Sequence, residues 1–321
     1  MPRKKKIEEN TIEKPENEVS INNKVLTDTD LVEQQEVNNL PNEQSYPNSL
    51  EDEHNQSTEV SVEIGTQSDI PEAPSTKTIH IWGGERGGAG KSTGCRVMAH
   101  YLLERGIPFY LVDADRSRPD VKTYYGEKLG KNCVEAYFSE AEYKSNNADT
   151  IFQSALTQNV LVNLPAQVAV PFQEWVERNC LEEVASDMQI EFVLWFACTG
   201  EIDSLQLFEE SLHQYPWMKH VLVKNLGLQP DLNTWQKLLS SNKLKELQKK
   251  HPFKQIELPK FYAVDRDIIE AKPMPLSDAI ATDQYLGVLG RKRTQKFLAH
   301  CATQFEGTGY FDMIEAKGDW R

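Results

Sequence analysis

Nowhere in the 321 residues do 18 apolar residues follow one another, so no membrane-spanning helix is expected. The longest apolar stretch, around Phe192 to Cys198, has the length of a strand. No apolar run follows the opening Met1, so no secretory leader is read there. Cysteine is scarce: Cys95, Cys133, Cys180, Cys198 and Cys301 are odd in number and never spaced Cys-x-x-Cys. That spacing argues against both a disulfide framework and a zinc site, and the thiols read as those of a reducing cytoplasm. The seven histidines show no ligand spacing either.

Aromatic residues are nearly missing from the front of the chain, where Tyr46 is the single one before Lys77. Over residues 1–76 there are 6 Lys/Arg against 17 Asp/Glu, a net of −11 out of the total −14. Such a segment, rich in Asn, Gln, Glu and Ser, buries too little apolar surface to offset roughly 1–2 kcal/mol of entropy per ordered residue. It reads as a disordered acidic tail. Its first residues, Arg3 to Lys6, form a basic run, read as a solvated terminus or as a contact for nucleic acid or an anionic surface.

From Lys77 onwards the texture changes. Thr78-Ile79-His80-Ile81-Trp82 reads as a strand, followed by a glycine cluster and then by Val97, Met98, Tyr101 and Leu102 at helical spacing up to Gly106. Further strands are expected at Phe109–Val112, Val160–Val162, Phe192–Phe196, His220–Val223 and Gln255–Leu258. Helical patterns lie between them at Phe172–Met188, Ser204–His213, Asn233–Lys250 and Asp283–Gln304. Between Tyr124 and Asn159 a small strand near Val134 and a helix before Gln158 are expected. Short, near-continuous apolar strands alternating with amphipathic helices predict an α/β fold, a parallel sheet with helices on both faces, over residues 77–321.

Arg86-Gly87-Gly88-Ala89-Gly90-Lys91-Ser92-Thr93 follows a strand and opens a helix, the context a phosphate-binding loop requires. Gly87, Gly88 and Gly90 permit a tight turn that brings backbone N–H groups to phosphate oxygens, and the helix adds the positive end of its dipole. Lys91 is placed to bridge the β- and γ-phosphates, Ser92 to hold Mg2+, and Thr93 to touch the α-phosphate. Asp115 lies just beyond a strand's C-terminal end, on the edge where open α/β sheets bind ligands. It is a candidate to orient an attacking water, or else a turn or cap aspartate.

The loop resembles the deviant Walker A of the ParA/MinD-type P-loop ATPases, whose pattern is Lys-Gly-Gly-x-Gly-Lys-[Ser/Thr]. The resemblance runs from about Lys77 to Gln304, and within it ParA-like plasmid partition and mobilisation proteins look nearest. Leu111-Val112-Asp113-Ala114-Asp115 resembles the family's Asp-x-Asp segment, which implies the water-orienting role for Asp115 and a metal-shell role for Asp113. Val162-Asn163-Leu164-Pro165 occupies the Walker B place, with Asn163 where the family usually has aspartate. Asn225 resembles the asparagine that meets adenine, and Leu258-Pro259 with Glu270 to Leu276 resembles the segment near the base.

Arg86 replaces the signature lysine that reaches a partner's phosphates across a homodimer. It reads either as such a trans-acting arginine or as a loop arginine held by a local carboxylate. Glu85 stands where the common Walker A has Gly or Ala. The amide at Asn163 removes a charge from the metal's surroundings, so the chain reads as a slow ATPase (ATP to ADP and phosphate) or as a nucleotide-binding scaffold without turnover. A third reading is a metabolic P-loop ATP-dependent ligase.

From Lys237 to Lys296 there are 13 Lys/Arg against 7 Asp/Glu, clustered at Lys243–Lys254 and at Arg291, Lys292, Arg293 and Lys296. The resemblance implies non-specific DNA binding through such late basic residues. A solvated helix face is the alternative. Tyr310 to Arg321 lacks the Lys-rich amphipathic helix by which MinD-like members hold a membrane, which favours the ParA side. A plasmid partition or relaxosome protein is then the expected partner.

Overall fold

The computed structural model describes residues 76–139 and 141–311. The acidic segment and its basic start lie outside the described residues, as do the last ten residues. Seven strands form one parallel sheet: β1 (Lys77–Gly83), β2 (Phe109–Asp113), β3 (Cys133–Val134), β4 (Asn159–Asn163), β5 (Ile190–Cys198), β6 (Lys219–Asn225) and β7 (Lys254–Leu258). Their order across the sheet is β3-β2-β4-β1-β5-β6-β7. The expected parallel α/β architecture is therefore present, with β1 at its centre.

Both faces of the sheet are covered, which explains why the strands read as unbroken apolar runs. Ile79, Ile81, Val160, Val162, Phe192 and Leu194 point to one core, while Trp82, Leu161, Val193 and Trp195 point to the other. The first core is roofed by α3 (Asp149–Ala155), α4 (Ala169–Arg178), α5 (Leu181–Asp187), α6 (Ile202–Gln214), α7 (Leu232–Leu239) and α8 (Asn242–Lys250). The second lies under α1 (Lys91–Glu104), α2 (Asp120–Leu129), α9 (Ala263–Ala271), α10 (Leu276–Ala281) and α11 (Asp283–Glu306).

Trp82 and Trp195 stack at 5.8 Å beneath α1. The helix sits so low on them that a Cβ on Gly94 would meet the Trp82 ring at 2.0 Å. Glycine at position 94 thus fixes how closely the helix after the loop approaches the sheet.

Several expected helices are divided. Phe172–Met188 splits at Cys180, whose φ of 48° is left-handed and ends one helix before the next begins. Asn233–Lys250 splits at Ser240 and Ser241, where the Ser241 hydroxyl accepts from the Leu244 N–H at 3.3 Å and starts a new helix. Both halves of each pair face one core, so their periodicity reads as continuous. Helix α11 kinks at Gly287, with φ of 62°. The short strand at Val134 and the helix before Gln158 are present, whereas α2, α9 and α10 carry no pattern strong enough to be expected.

Candidate nucleotide-binding site

The glycine loop leaves the C-terminal end of β1, between its neighbours β4 and β5, and enters α1. Gly90 caps α1 with φ of 106°, so no side chain caps the helix, and its first turn holds no acidic residue. The first N–H groups of a 14-residue helix are thereby left for an anion, with the dipole's positive end behind them. Gly87 and Gly88 are exposed, Ala89 is buried, and Ser92 and Thr93 lie half-buried in the first turn.

Lys91 is buried and spans the loop. Its Nζ donates to the Gly84 carbonyl at 2.7 Å and to the Arg86 carbonyl at 3.0 Å. Burial pulls the ammonium pKa down, and the nearby Glu85 and Asp115 carboxylates draw it back up. Burial likewise raises the Glu85 carboxyl, opposed by Lys91 and by a hydrogen bond from the Ala169 backbone N–H. Sequence order gave no hint of the Gly84 acceptor, because Gly84 lies before the recognised loop.

Asn225 tethers the loop from β6. Its Nδ2 donates to the Ala89 carbonyl at 2.7 Å, and its Oδ1 accepts from the Gly227 N–H at 2.9 Å. A base could be met by the remaining amide hydrogen or by the second lone pair of Oδ1. The residue expected to touch adenine thus has a definite first role in shaping the phosphate loop.

Asp113, Asn163 and Trp82 lie in register at the ends of three adjacent strands. Asp113 Oδ2 accepts from the Val121 and Lys122 N–H groups at 2.7 and 2.9 Å, holding the start of α2. Its Oδ1 accepts from Asn163 Nδ2 at 2.9 Å. Burial raises the Asp113 pKa, and these donors oppose that rise.

The orientation of the Asn163 amide follows from this contact, since the reverse orientation would set its oxygen against the carboxylate. Asn163 Oδ1 is left fully buried without a donor, and Asn163 Nδ2 lies 3.5 Å from Ser92 Oγ. The amide nitrogen, not the orphaned oxygen, is thus the atom beside the Ser92 hydroxyl, and Ser92 is left to meet a hydrated Mg2+, which keeps several waters and takes few protein ligands. Ser92 would hold that shell, with the Asn163 amide nitrogen against its hydroxyl. Asp113, the other residue expected in the metal's shell, holds Asn163 and the start of α2.

Two residues sit in local contacts. Asp115 Oδ1 accepts from Ser117 Oγ at 2.6 Å and from the Ser117 and Arg118 N–H groups at 3.1 and 3.0 Å, a turn-aspartate arrangement. It remains close enough to Lys91 to influence its charge. Arg86 pairs with Glu201, and with Asp203 at 3.3 Å, in its own chain. This is the local carboxylate contact, supplied from 115 residues away, beyond what sequence spacing can show.

The late basic cluster is not uniform. Arg293 grips Asp265, itself 1% exposed, with Nε and Nη2 at 2.7 and 2.6 Å. Arg291 pairs with Asp283 at 3.1 Å. Lys292 and Lys296 are exposed, four residues apart on one helix.

No family model matches the chain. The protein MobD of Acidithiobacillus ferrooxidans is 26% identical over 149 residues, 46% of this chain and 63% of that relative. The chain thus spans less than two thirds of the curated relative it matches. Among solved structures, the MinC:MinD cell division protein complex of Aquifex aeolicus is similar at 12% identity and a TM-score of 0.42, over 72% of this chain and 96% of that one. A plasmid partition protein of Borrelia burgdorferi bound to AMPPNP is similar at 18% identity and a TM-score of 0.40, over 70% and 98%. Strand order and loop placement by themselves define the parallel α/β fold. No helix among the described residues is long and apolar enough to cross a membrane.

Proposed function

We propose that the chain is a ParA-like ATP-binding protein that takes ATP with Mg2+ in the glycine loop and serves plasmid partition or mobilisation. One observation carries this reading: a buried lysine bridges two loop carbonyls at the uncapped start of α1, on the ligand-binding edge of a parallel sheet. That arrangement supports a phosphate-bearing ligand, here a nucleoside triphosphate. When bound, the Mg2+–ATP pair supplies a transferable phosphoryl group.

The chain's residues have distinct tasks around it. Backbone N–H groups of Gly87 to Lys91 bind phosphate oxygens, and Lys91 exchanges its two carbonyls for the β- and γ-phosphates. Ser92 would hold the metal's shell, with Asp113 beyond it through Asn163, and Asp115 would orient water. Arg86, in reaching a partner's phosphates across a homodimer, has to leave Glu201 and Asp203. DNA binding falls to Lys292 and Lys296, with Arg291 and Arg293 tied to carboxylates of their own chain.

Asn163 supports a second reading, a nucleotide-dependent scaffold with little turnover, since a neutral amide attracts the metal less than a carboxylate. Calorimetric titration with Mg2+–ATP separates these readings from none at all. Saturable binding is expected for the wild type, with at least a tenfold loss in Lys91→Ala. Absence of affinity for both ATP and GTP would end the proposal. Phosphate release then divides ATPase from scaffold, and gel filtration with a non-hydrolysable ATP analogue reads the dimer.

A further inference from the structure

The connection from β4 to α4, Leu164 to Val168, runs beside the phosphate loop. The Leu164 N–H donates to the Trp82 carbonyl at 3.0 Å, and the Ala169 N–H donates to the Glu85 carboxylate. Both ends of the connection are thus fastened to the stretch that leads from β1 into the glycines. In the sheet β4 lies between β2 and β1, so this connection stands between the end of Asp115's strand and the phosphate loop.

Within it, Gln167 has a φ of 58°. Few non-glycine residues adopt that left-handed conformation, which glycine meets without cost. Of the other two among the described residues, Cys180 joins α4 to α5 and Gln189 leads into β5, whereas Gln167 lies at the ligand-binding edge. Such strain persists where the surrounding structure imposes it, and it gathers at active sites. The Gln167 side chain is exposed and makes no hydrogen bond among the described residues, so its amide serves neither the turn nor the core.

Asp115 leaves room for such a group. Its Oδ1 already accepts from three donors in its own turn, so it offers an attacking water one oxygen and no donor. A glutamine amide carries an acceptor and two donors, and can meet a water and a phosphate oxygen together. Hydrolysis in several P-loop proteins relies on a glutamine amide to orient the water.

We infer that Gln167 is a further catalytic residue, whose amide fixes the water that attacks the γ-phosphate; this rests on the ATP reading above. The water oxygen bonds to the γ-phosphorus while the bond from that phosphorus to the bridging oxygen breaks, its electron pair leaving on ADP. Both water protons end on the released phosphate, and the amide is neither consumed nor ionised.

The test measures Mg2+–ATP binding by calorimetry and single-turnover phosphate release, both on the full chain. Gln167→Gly fits the backbone without strain, and Gln167→Met keeps the length while removing the amide. Both variants should bind Mg2+–ATP within about twofold of the wild type and release phosphate about tenfold more slowly or worse. Gln167→Gly should also melt no lower than the wild type. The inference is overturned if either variant keeps the wild-type rate, if both lose affinity in step with rate, or if the wild type binds Mg2+–ATP yet releases no phosphate. That last outcome leaves the nucleotide reading standing, whereas absence of binding ends both.

Discussion

The Asn163 amide and the Asp113 carboxylate join the ends of β4 and β2 through a 2.9 Å hydrogen bond beneath the phosphate loop. The asparagine is a neutral donor that satisfies its carboxylate neighbour. Its oxygen is turned away as a consequence.

Asn163→Asp places two buried carboxylates side by side, and one of them must then take up a proton or find a cation. Without Mg2+ the variant should lose roughly 1–3 kcal/mol of stability at neutral pH, and acidification should return part of it. Mg2+ should raise its melting temperature far more than that of the wild type. Equal Mg2+ responses in the two proteins would show that position 163 does not face the metal.

Asn225→Ala removes the tether from Asn225 Nδ2 to the Ala89 carbonyl and the acceptor for the Gly227 N–H. A stability loss of roughly 1–3 kcal/mol is expected, with weaker binding of both ATP and ADP because the loop itself is loosened. Selective loss of adenine nucleotides over guanine nucleotides would instead place the residue on the base. Gly90→Ala should be more severe, since φ is 106° and its Cβ would lie 2.5 Å from Asn225 Nδ2.

Buried His220 sets a pH limit on stability. Its Nε2 meets Ser211 Oγ and its Nδ1 meets the Met218 carbonyl, each at 3.0 Å, which suits the neutral ring. Burial lowers its pKa from 6.5 to about 4. The unfolded chain therefore binds a proton that the folded one refuses, and stability present above pH 6.5 drains away as the pH falls toward 4. This one group accounts for about 3 kcal/mol across that window. Denaturant titrations at several pH values should show a shallower slope for His220→Gln, and an unchanged slope would assign the acid loss elsewhere.

The basic helix face separates by partner. Lys292→Ala with Lys296→Ala should leave melting unchanged, weaken DNA binding, and reduce the salt slope by about 1–2. Arg293→Ala should instead lower the melting temperature by several degrees, because Asp265 stays buried without its guanidinium. If Arg293→Ala alone abolished DNA binding at unchanged stability, the division of roles would be reversed.

What the chain's linear order determined was local. Short, near-continuous apolar runs in β1, β4 and β5 marked strands buried on both faces, and the glycines ahead of Lys91 marked a turn into a helix. Those signals depend on backbone geometry over a few neighbouring residues, which the order of side chains encodes directly. Helix breaks at Cys180 and Ser241 escaped because both halves keep the same buried side. Tertiary structure alone decided that Arg86 meets Glu201, that Asn163 is turned by Asp113, and that Arg293 serves Asp265. Each is a through-space relation between groups 28 to 115 residues apart. Only the packing of the sheet and its helices sets such distances, and no periodicity along the chain records them.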